Sequence, residues 1–416
     1  MIGRRLRRIG GNVIRRWGLL PEGDPDGLGD DETLRGQSLA FTVMLYFPDT
    51  APNIYQLRQW YRPLMDLNAR HLVGIVCLDS RTASAVRAEC PLPVVCCGRI
   101  ATLEDLVSRS DVALALYVNH NVRNLHPLRF PTMLHAYLGH GESDKAASAS
   151  NQVKAYDFAL VAADAGRDRL RRNLLRYDTE AHVRTIGRPQ LDGNDTPAVD
   201  GRREGDRLRV LYAPTWEGAQ PSMAYSSVVT HGEAILRSLL ATQQFDVVYR
   251  PHPRTGANSA GYAAADRRLR ELITEHAPAG RSDASRVDLA PTWDARHDAA
   301  DLLISDISAV AADWMTTGKP LLVTVPASPG AFIDTDTVLT AAPGITVTDA
   351  PRTAELVLAE IGGGDAAKRR AWVQYAMGDT SPGASSKKFL HVCDELVALR
   401  GREMSARTAR MGGEQT

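Results

Sequence analysis

The stretch Asp301–Val323, DLLISDISAVAADWMTTGKPLLV, decides the fold class of this chain. Its apolar run Leu302–Ile304 is typical of a strand buried on both faces. Ser305, Asp306 and Ser308 then supply residue types that cap the N-terminus of a helix, and a second apolar run closes the stretch. The pattern predicts a β–α–β unit. Its polar turn lies at the carboxyl end of the first strand, where open α/β sheets bind ligands.

The polar turn suits a phosphate or pyrophosphate ligand. A helix N-terminus presents unpaired N–H groups and the positive end of its dipole, and the hydroxyls of Ser305 and Ser308 add hydrogen-bond donors. The alternative is a capped helix that binds no ligand, since caps of this type are common.

Two other strand ends favour the interpretation that the polar turn binds a phosphate or pyrophosphate. The stretches Arg209–Gly218 (RVLYAPTWEG) and Val247–Pro253 (VVYRPHP) each read as a short buried strand that ends in polar residues. Thr215 follows the first strand, and Arg250 and His252 follow the second. Because parallel strands end at one edge of a sheet, we expect these side chains to converge on one anion. A histidine after a strand can also be structural, but the prolines on both sides of His252 stiffen its backbone.

Strands and helices alternate along most of the chain, which predicts parallel sheets. We therefore expect an α/β protein with two Rossmann-like domains that face each other across a cleft. The predicted parts are a basic N-terminal segment with a linker (1–35), an N-terminal acceptor-side domain (36–192), a linker (193–206), a C-terminal donor domain (207–400) and a disordered tail (401–416).

Composition narrows the possible partners and the compartment. The 416 residues are 44% hydrophobic and carry a formal net charge of zero, which is enough core for two domains and gives no sign of a nucleic-acid partner. The five cysteines are odd in number and lack paired metal-ligand spacing, which favours a reduced, cytoplasmic protein. We predict no metal site and no cofactor.

The first twenty residues, MIGRRLRRIGGNVIRRWGLL, combine six arginines with aliphatic side chains and Trp17. A segment of this kind can lie on an anionic membrane surface. It lacks the apolar core of a secretory signal, and no later stretch has the length of a transmembrane helix. We predict a peripheral protein on the inner face of the cell membrane; the alternative is a frayed basic tail.

Five motifs in a fixed order resemble those of the CDP-glycerol glycerophosphotransferase family, the teichoic acid primases and polymerases. The motifs are LGHGESDK (138–145), GRPQLD (187–192), APTWEG (213–218), RPHP (250–253) and SDIS (305–308), followed by YAMGDTSPGASSKK (375–388). The resemblance covers about Leu134–Val392 and implies the two-domain glycosyltransferase-B fold. The family transfers glycerol phosphate from CDP-glycerol to a hydroxyl and releases CMP.

The resemblance also implies roles for individual residues. It makes His140 the catalytic base, and it makes His252 a second catalytic residue in contact with the donor diphosphate. The residues predicted to bind that diphosphate are Thr215, Ser305, Asp306 and Ser308, together with Arg250 from its strand-end position. Gly141, Asp144 and Lys145 are predicted as supporting residues of the site. A base is needed because an acceptor hydroxyl is a poor nucleophile until it loses its proton, and histidine is the usual base near neutral pH. Arg254 and the loop 326–332 are positional candidates for reading the nucleotide base.

Departures from the family pattern leave alternatives open. Glu142, Asp144 and Lys145 change the charge after the His-Gly pair, so the acceptor or the transferred group can differ. The leading expectation is a CDP-activated polyol as donor and a hydroxyl of a lipid-linked or polymeric cell-envelope acceptor. One alternative is a nucleotide-sugar glycosyltransferase or epimerase, for which Glu142 and Asp306 offer acidic groups. Another is a nucleotide-binding membrane-surface protein without catalysis.

Overall fold

Two parallel sheets, one in each half of the chain, form the fold. The computed structural model describes residues 25–192, 207–276, 285–290 and 299–413. The predicted basic segment, up to residue 24, and the linker at 193–206 lie outside these ranges. Each sheet carries a hydrophobic core on both of its faces. The expected α/β architecture of two Rossmann-like domains is therefore confirmed.

The first sheet has seven parallel strands in the order β3-β2-β1-β4-β5-β6-β7. The strands are β1 (Val43–Phe47), β2 (Val73–Cys77), β3 (Val94–Cys96), β4 (Leu114–Tyr117), β5 (Leu134–Tyr137), β6 (Phe158–Val161) and β7 (Val183–Thr185). The central strands are apolar throughout, as in VMLYF for β1, because helices cover both faces of the sheet. The order reverses at β1, so a crevice opens at the carboxyl ends of β1 and β4.

The first helix of this domain precedes β1, and the others lie between successive strands. They are α1 (Asp31–Leu34), α2 (Tyr55–Arg58), α3 (Tyr61–Asn68), α4 (Ser80–Glu89), α5 (Ile100–Ser108), α6 (Asp164–Asn173) and α7 (Thr179–His182). The start of α4 shows how the sequence sets such a boundary: the carboxylate of Asp79 accepts a hydrogen bond from the N–H of Thr82.

The second sheet has six parallel strands in the order β10-β9-β8-β11-β12-β13. The strands are β8 (Leu208–Ala213), β9 (Phe245–Tyr249), β10 (Arg286–Val287), β11 (Leu302–Ser305), β12 (Leu321–Thr324) and β13 (Gly344–Ile345). The helices are α8 (Gly232–Leu240), α9 (Ala260–His276), α10 (Ala309–Met315), α11 (Thr353–Gly363), α12 (Ala366–Met377) and α13 (Ala384–Gly413). The predicted β–α–β unit is β11–α10–β12, and the order reverses at β8, next to β11.

Helix α13 belongs to the N-terminal domain in space, although it ends the chain. Its residues Phe389, Val392, Cys393 and Leu396 lie in the same core as strands β1 and β2. The ring centroid of Phe389 is 5.5 Å from that of Trp60. The predicted C-terminal domain of 207–400 is therefore wrong at its end, because the apolar face of α13 is buried against the first sheet.

The predicted disordered tail is also wrong over residues 401–413, where α13 continues. Residues 401–403 and 405–411 are exposed, so little packing holds the helix there. Their sequence, GREMSARTARMGG, is rich in Arg, Ala, Met and Glu, which have high helix propensity. Within the described ranges, no helix is both long and apolar enough to cross a membrane.

Candidate functional site

The two histidines singled out in the sequence meet in the cleft between the domains. His140 follows β5 of the first sheet, and His252 follows β9 of the second. The ring of Tyr55 stands between them, edge-on to both, with centroid distances of 6.1 Å to His140 and 5.6 Å to His252. Residues from three distant parts of the chain thus form one site at the carboxyl edges of both sheets.

The loop that carries His140 is fixed by its glycines and by one buried indole. Gly139 adopts a left-handed backbone with φ of +66°, and its carbonyl accepts a 2.8 Å hydrogen bond from Trp60 Nε1. A Cβ on Gly141 would lie only 2.8 Å from the Cβ of Ala309, the first residue of α10. The His-Gly pair therefore packs directly on the start of the helix that follows the SDIS turn.

The ring of His140 is held neutral and oriented. Burial, followed by the charges of Arg188 and Lys145, lowers its pKa to about 4, while a hydrogen bond to the Val118 carbonyl and the charge of Asp49 oppose this shift. An imidazole that donates from one nitrogen accepts at the other. At neutral pH the free nitrogen of His140 is therefore able to take a proton from a bound hydroxyl.

His252 has the complementary proton arrangement. Its Nδ1 accepts a 3.1 Å hydrogen bond from the backbone N–H of Arg254, so the neutral ring carries its proton on Nε2. Burial is the largest cause that lowers its pKa, to about 3, and the charges of Lys145, His140 and Arg254 add to it. The ring also stacks on Trp216 at 6.3 Å. His252 is thus a hydrogen-bond donor in this state.

Lys145 joins the two halves of the site. Its Nζ donates a 2.8 Å hydrogen bond to the hydroxyl of Thr215 and lies 5.5 Å from the ring centroid of Tyr225. Burial lowers its pKa to about 8, against the charge of Asp306. The predicted residues Lys145 and Thr215 therefore do come together, and they place a cation beside both histidines.

The carboxylate of Asp306 is surrounded by hydrogen-bond donors from its own domain. Its buried carboxylate accepts hydrogen bonds from the N–H of Thr215 at 2.7 Å, the N–H of Ser227 at 3.2 Å and the hydroxyl of Thr324 at 2.5 Å. Burial raises its pKa, and these hydrogen bonds oppose the shift. The expected contact of Asp306 with a diphosphate stays a prediction, and these contacts do not favour it, because the carboxylate already has three donors and would repel an anion.

The two serines of the turn have different tasks. Ser308 caps α10, as its residue type predicted, and its hydroxyl accepts the Ala311 N–H at 3.2 Å. The hydroxyl of Ser305 donates to the carbonyl of Ala213 at 2.7 Å, so it ties β11 to β8. It does not point at a ligand. The half-buried Ala309 and Val310 carry the N–H groups that the helix itself leaves unpaired.

The contacts of Arg250 do not favour its predicted diphosphate role, which stays a prediction, and Arg254 lies in the cleft. Arg250 donates to the carboxylate of Asp288 at 2.5 Å and to the carbonyl of Ala290 at 2.7 Å, which commits its guanidinium to the end of β10. The guanidinium of Arg254 lies 4.3 Å from the ring centroid of Trp216 and donates to Asn53 across the cleft at 3.2 Å. The strand-end position of Arg250 gave no sign of its acidic partner 38 residues away.

The acidic residues near His140 hold the loop in place. Asp144 pairs with Arg169 at 2.5 Å and accepts the N–H of Val338 from the other domain at 2.7 Å. Glu142 accepts the N–H of Ala162 at 2.7 Å. Asp144 therefore ties the His140 loop to α6 and to the other domain, and Glu142 ties it to the end of β6; a supporting role of Asp144 in the reaction stays a prediction.

Several residues of the site were not predicted from the sequence. Tyr55 and Asn53 follow β1, so the strand-end rule that found His252 would also have pointed to them. The buried ion pair of Arg188 with Asp313, which has two contacts of 2.9 Å, joins the GRPQLD motif to α10 across the domains. In the described part of the chain, no group of three or more His, Cys, Asp or Glu side chains is placed to hold a metal ion.

The comparisons with protein families agree with the motifs. The model of the CDP-glycerol:poly(glycerophosphate) glycerophosphotransferase family matches residues 132–329, which contain all five motifs from the His-Gly loop to the SDIS turn. The resemblance to this family is therefore confirmed. No curated protein sequence matches the chain.

Solved structures share the fold at low sequence identity. The wall teichoic acid polymerase TagF superposes with a TM-score of 0.52 and 14% identity, covering 97% of this chain and 98% of TagF. A TagF variant soaked with CDPG gives 0.52 and 13%, with the same coverage of both chains. A glycosyltransferase from Rickettsia africae ESF-5 gives 0.51 and 10%, covering 86% of this chain and 98% of its own. These likenesses confirm a glycosyltransferase-B type fold.

Proposed function

We propose that this chain, which matches the glycerophosphotransferase family over residues 132–329, is a transferase of polyol phosphate. The donor is a CDP-activated polyol, with CDP-glycerol as the first candidate, and the acceptor is a hydroxyl of a lipid-linked or polymeric component of the cell envelope. The observation that carries this proposal is the meeting of His140 and His252 on the two sides of Tyr55, one ready to accept a proton and the other to donate one.

The reaction divides between the two histidines. The acceptor oxygen attacks the phosphorus that bears the polyol, while His140 takes the hydroxyl proton. The bond from that phosphorus to the bridging oxygen breaks, and the electron pair leaves with CMP. His252 Nε2–H and the Lys145 ammonium face the place where this negative charge develops, so they stabilise the departing group.

The donor class rests on two lines of support. The family matched by this chain is described by its CDP-glycerol donor, and a TagF variant was soaked with CDPG. The contacts of the acidic residues favour phosphotransfer over epimerisation. Glu142 and Asp306, the two acids that an epimerase would hold over a sugar ring, are both engaged with backbone N–H groups.

The test is nucleotide release from purified protein given CDP-glycerol, CDP-ribitol, UDP-glucose or UDP-N-acetylglucosamine, with a crude lipid-linked acceptor. We expect acceptor-dependent release of CMP. Release of UDP would assign the chain to the glycosyltransferases. If a nucleotide binds but none is released, a binding protein without catalysis is favoured.

Replacing His140 is the mechanistic test of the proposal. In His140→Ala, we expect turnover to fall by about 10²- to 10⁴-fold because the base is lost, while donor affinity by calorimetry stays close to that of the unchanged protein. His391→Ala, at a position whose side chain is 70% exposed on α13, is the matched control. If His140→Ala keeps nearly the turnover of the unchanged protein, His140 is not the base of the reaction.

A further inference from the structure

A pocket of about 210 Å³ lies at the junction of the two domains, beside Lys145. The reaction described above uses only that lysine from the pocket. The residues that line it are Lys145, Ala149, Arg169, Asn173, Phe332 and Asp334. The pocket thus opens beside Lys145, and its other lining residues take no part in the reaction described above.

Phe332 supplies an exposed aromatic face on a fixed backbone. Its side chain is unusually open for a phenylalanine, with 43% of the residue exposed. The carbonyl of Phe332 accepts a 2.6 Å hydrogen bond from the hydroxyl of Tyr225, and its N–H donates to the carbonyl of Ser222 at 3.3 Å. A rigidly held, open ring of this kind is suited to contact with the apolar side of a ligand.

The charges around the pocket are balanced in pairs. Arg169 pairs with Asp144 at 2.5 Å, and Arg172 contacts Asp334 at 3.5 Å. Asn173 Nδ2 donates to Asp334 at 3.3 Å, which joins α6 to the loop of the other domain. Asp334 Oδ1 accepts the N–H of Thr335 at 2.8 Å, whereas its Oδ2 has only the long contacts to Arg172 and Asn173 and keeps acceptor capacity. Away from Lys145 the wall therefore offers this Oδ2 and the amide oxygen of Asn173 to ligand hydroxyls, and it offers little attraction to phosphate.

The size of the pocket limits the ligand further. Pockets for drug-sized ligands occupy about 300–1,000 Å³, so about 210 Å³ suits a single small unit and not a nucleotide. An aromatic face, hydroxyl-binding groups and small volume together describe a site for one sugar or polyol residue.

We propose that this pocket binds the acceptor as one neutral sugar or polyol residue, with its carbon face on Phe332 and its hydroxyls on Asp334 and Asn173. The bound residue presents one hydroxyl towards Lys145 and His140. Its part as the acceptor rests on the proposed function, whereas the binding of a neutral polyhydroxy ligand does not.

The kinetic test replaces Phe332 and compares it with its neighbour. In Phe332→Ala, we expect the KM for the acceptor to rise about tenfold through loss of the ring contact, with kcat and the KM for the donor unchanged. Phe332→Tyr keeps the ring, so its acceptor KM should equal that of the unchanged protein. Ile333→Ala is the matched control, because Ile333 is 42% exposed but does not line the pocket. An unchanged acceptor KM, or a changed donor KM, in Phe332→Ala would overturn the proposal.

A binding test is independent of turnover. The chain has seven phenylalanines, so protein labelled with 4-fluorophenylalanine gives a small set of ¹⁹F signals, and Phe332→Tyr identifies the one from Phe332. We expect this signal to shift with N-acetylglucosamine, ribitol or glycerol, and not with CMP or inorganic phosphate. A shift with CMP or phosphate only, or with no probe, would overturn the proposal. A shift with a polyol in a protein that releases no CMP would refute the proposed function and leave the pocket assignment standing.

Discussion

At the scale of single residues, burial decides what each titratable group of the site can do. His140 and His252 share one cleft, and burial lowers the pKa of each far enough that both are neutral at pH 7. Their hydrogen bonds then separate their roles, because His140 donates to a carbonyl and His252 accepts from the N–H of Arg254. The same burial leaves Lys145 as the cation whose charge is sensitive to pH near neutrality, with a pKa of about 8.

Lys145 should therefore limit activity at high pH. Above about pH 8 the free protein loses the Lys145 proton, so kcat/KM for the donor should fall as the pH rises. In Lys145→Arg the charge persists at all these pH values, and the alkaline decline should disappear even though absolute activity drops with the altered geometry. The groups facing the lysine are Thr215, Tyr225, Asp306 and the two histidines, His140 and His252, which are neutral in this pH range. If kcat/KM for the donor falls at high pH in the same way in Lys145→Arg and in the unchanged protein, this assignment is wrong.

At the scale of elements, the His-Gly loop that carries the proposed base packs against α10, on the proposed donor side of the cleft. Gly141→Ala would place a methyl group 2.8 Å from the Cβ of Ala309. We expect a loss of about 1–3 kcal/mol in the free energy of unfolding and a larger proportional loss of kcat, because the loop must move away from the helix. Denaturant unfolding and steady-state kinetics measure the two effects.

The control for this change is built into the same contact. Ala309→Gly removes the opposing Cβ, so the double variant Gly141→Ala, Ala309→Gly should recover activity that the single variant loses. Additive losses in the double variant would show that the close approach of loop and helix is not the cause.

Much of this arrangement could be predicted from the sequence, because strand ends on parallel sheets have a fixed place. The apolar run Leu302–Ile304 and the cap at Ser308 were sufficient to predict β11–α10–β12. Helix α12 was not predicted, since its apolar residues do not follow one face. The hydrogen bonds of Asp306 could not be predicted from its motif, because its partners Thr215 and Thr324 lie on or after other strands of the sheet.

At the scale of the whole molecule, the last helix returns the chain from the second domain to the core of the first. Phe389 on α13 is fully buried against Trp60 of the N-terminal domain. Phe389→Ala should lower the free energy of unfolding by about 3–5 kcal/mol through the cavity it leaves. His391→Ala, two residues further on the exposed side, should have little effect. Equal unfolding curves for Phe389→Ala and the unchanged protein would show that this packing contributes little.

The basic N-terminal segment, outside the described residues, is the proposed contact with the membrane. Deletion of Met1–Leu20 should release the protein from vesicles that contain anionic lipid, as measured by co-sedimentation. A variant with glutamine in place of the six arginines keeps the apolar residues and should bind more weakly, since each basic residue contributes about 1 kcal/mol near such a surface. Binding to neutral vesicles provides the baseline. Unchanged sedimentation after the deletion would rule out this contact.

The return of α13 to the first domain also determines how the cleft can open. The chain passes between the domains twice, after Asp192 and again before Ala384. The two passages lie side by side, because the carboxylate of Asp192 accepts the N–H of Ser386 at 2.6 Å. Because the two crossings are held together, we expect the domains to rotate about this point and not to slide past each other. Opening of this kind would widen the gap between His140 and His252 and return them to the same positions on closure.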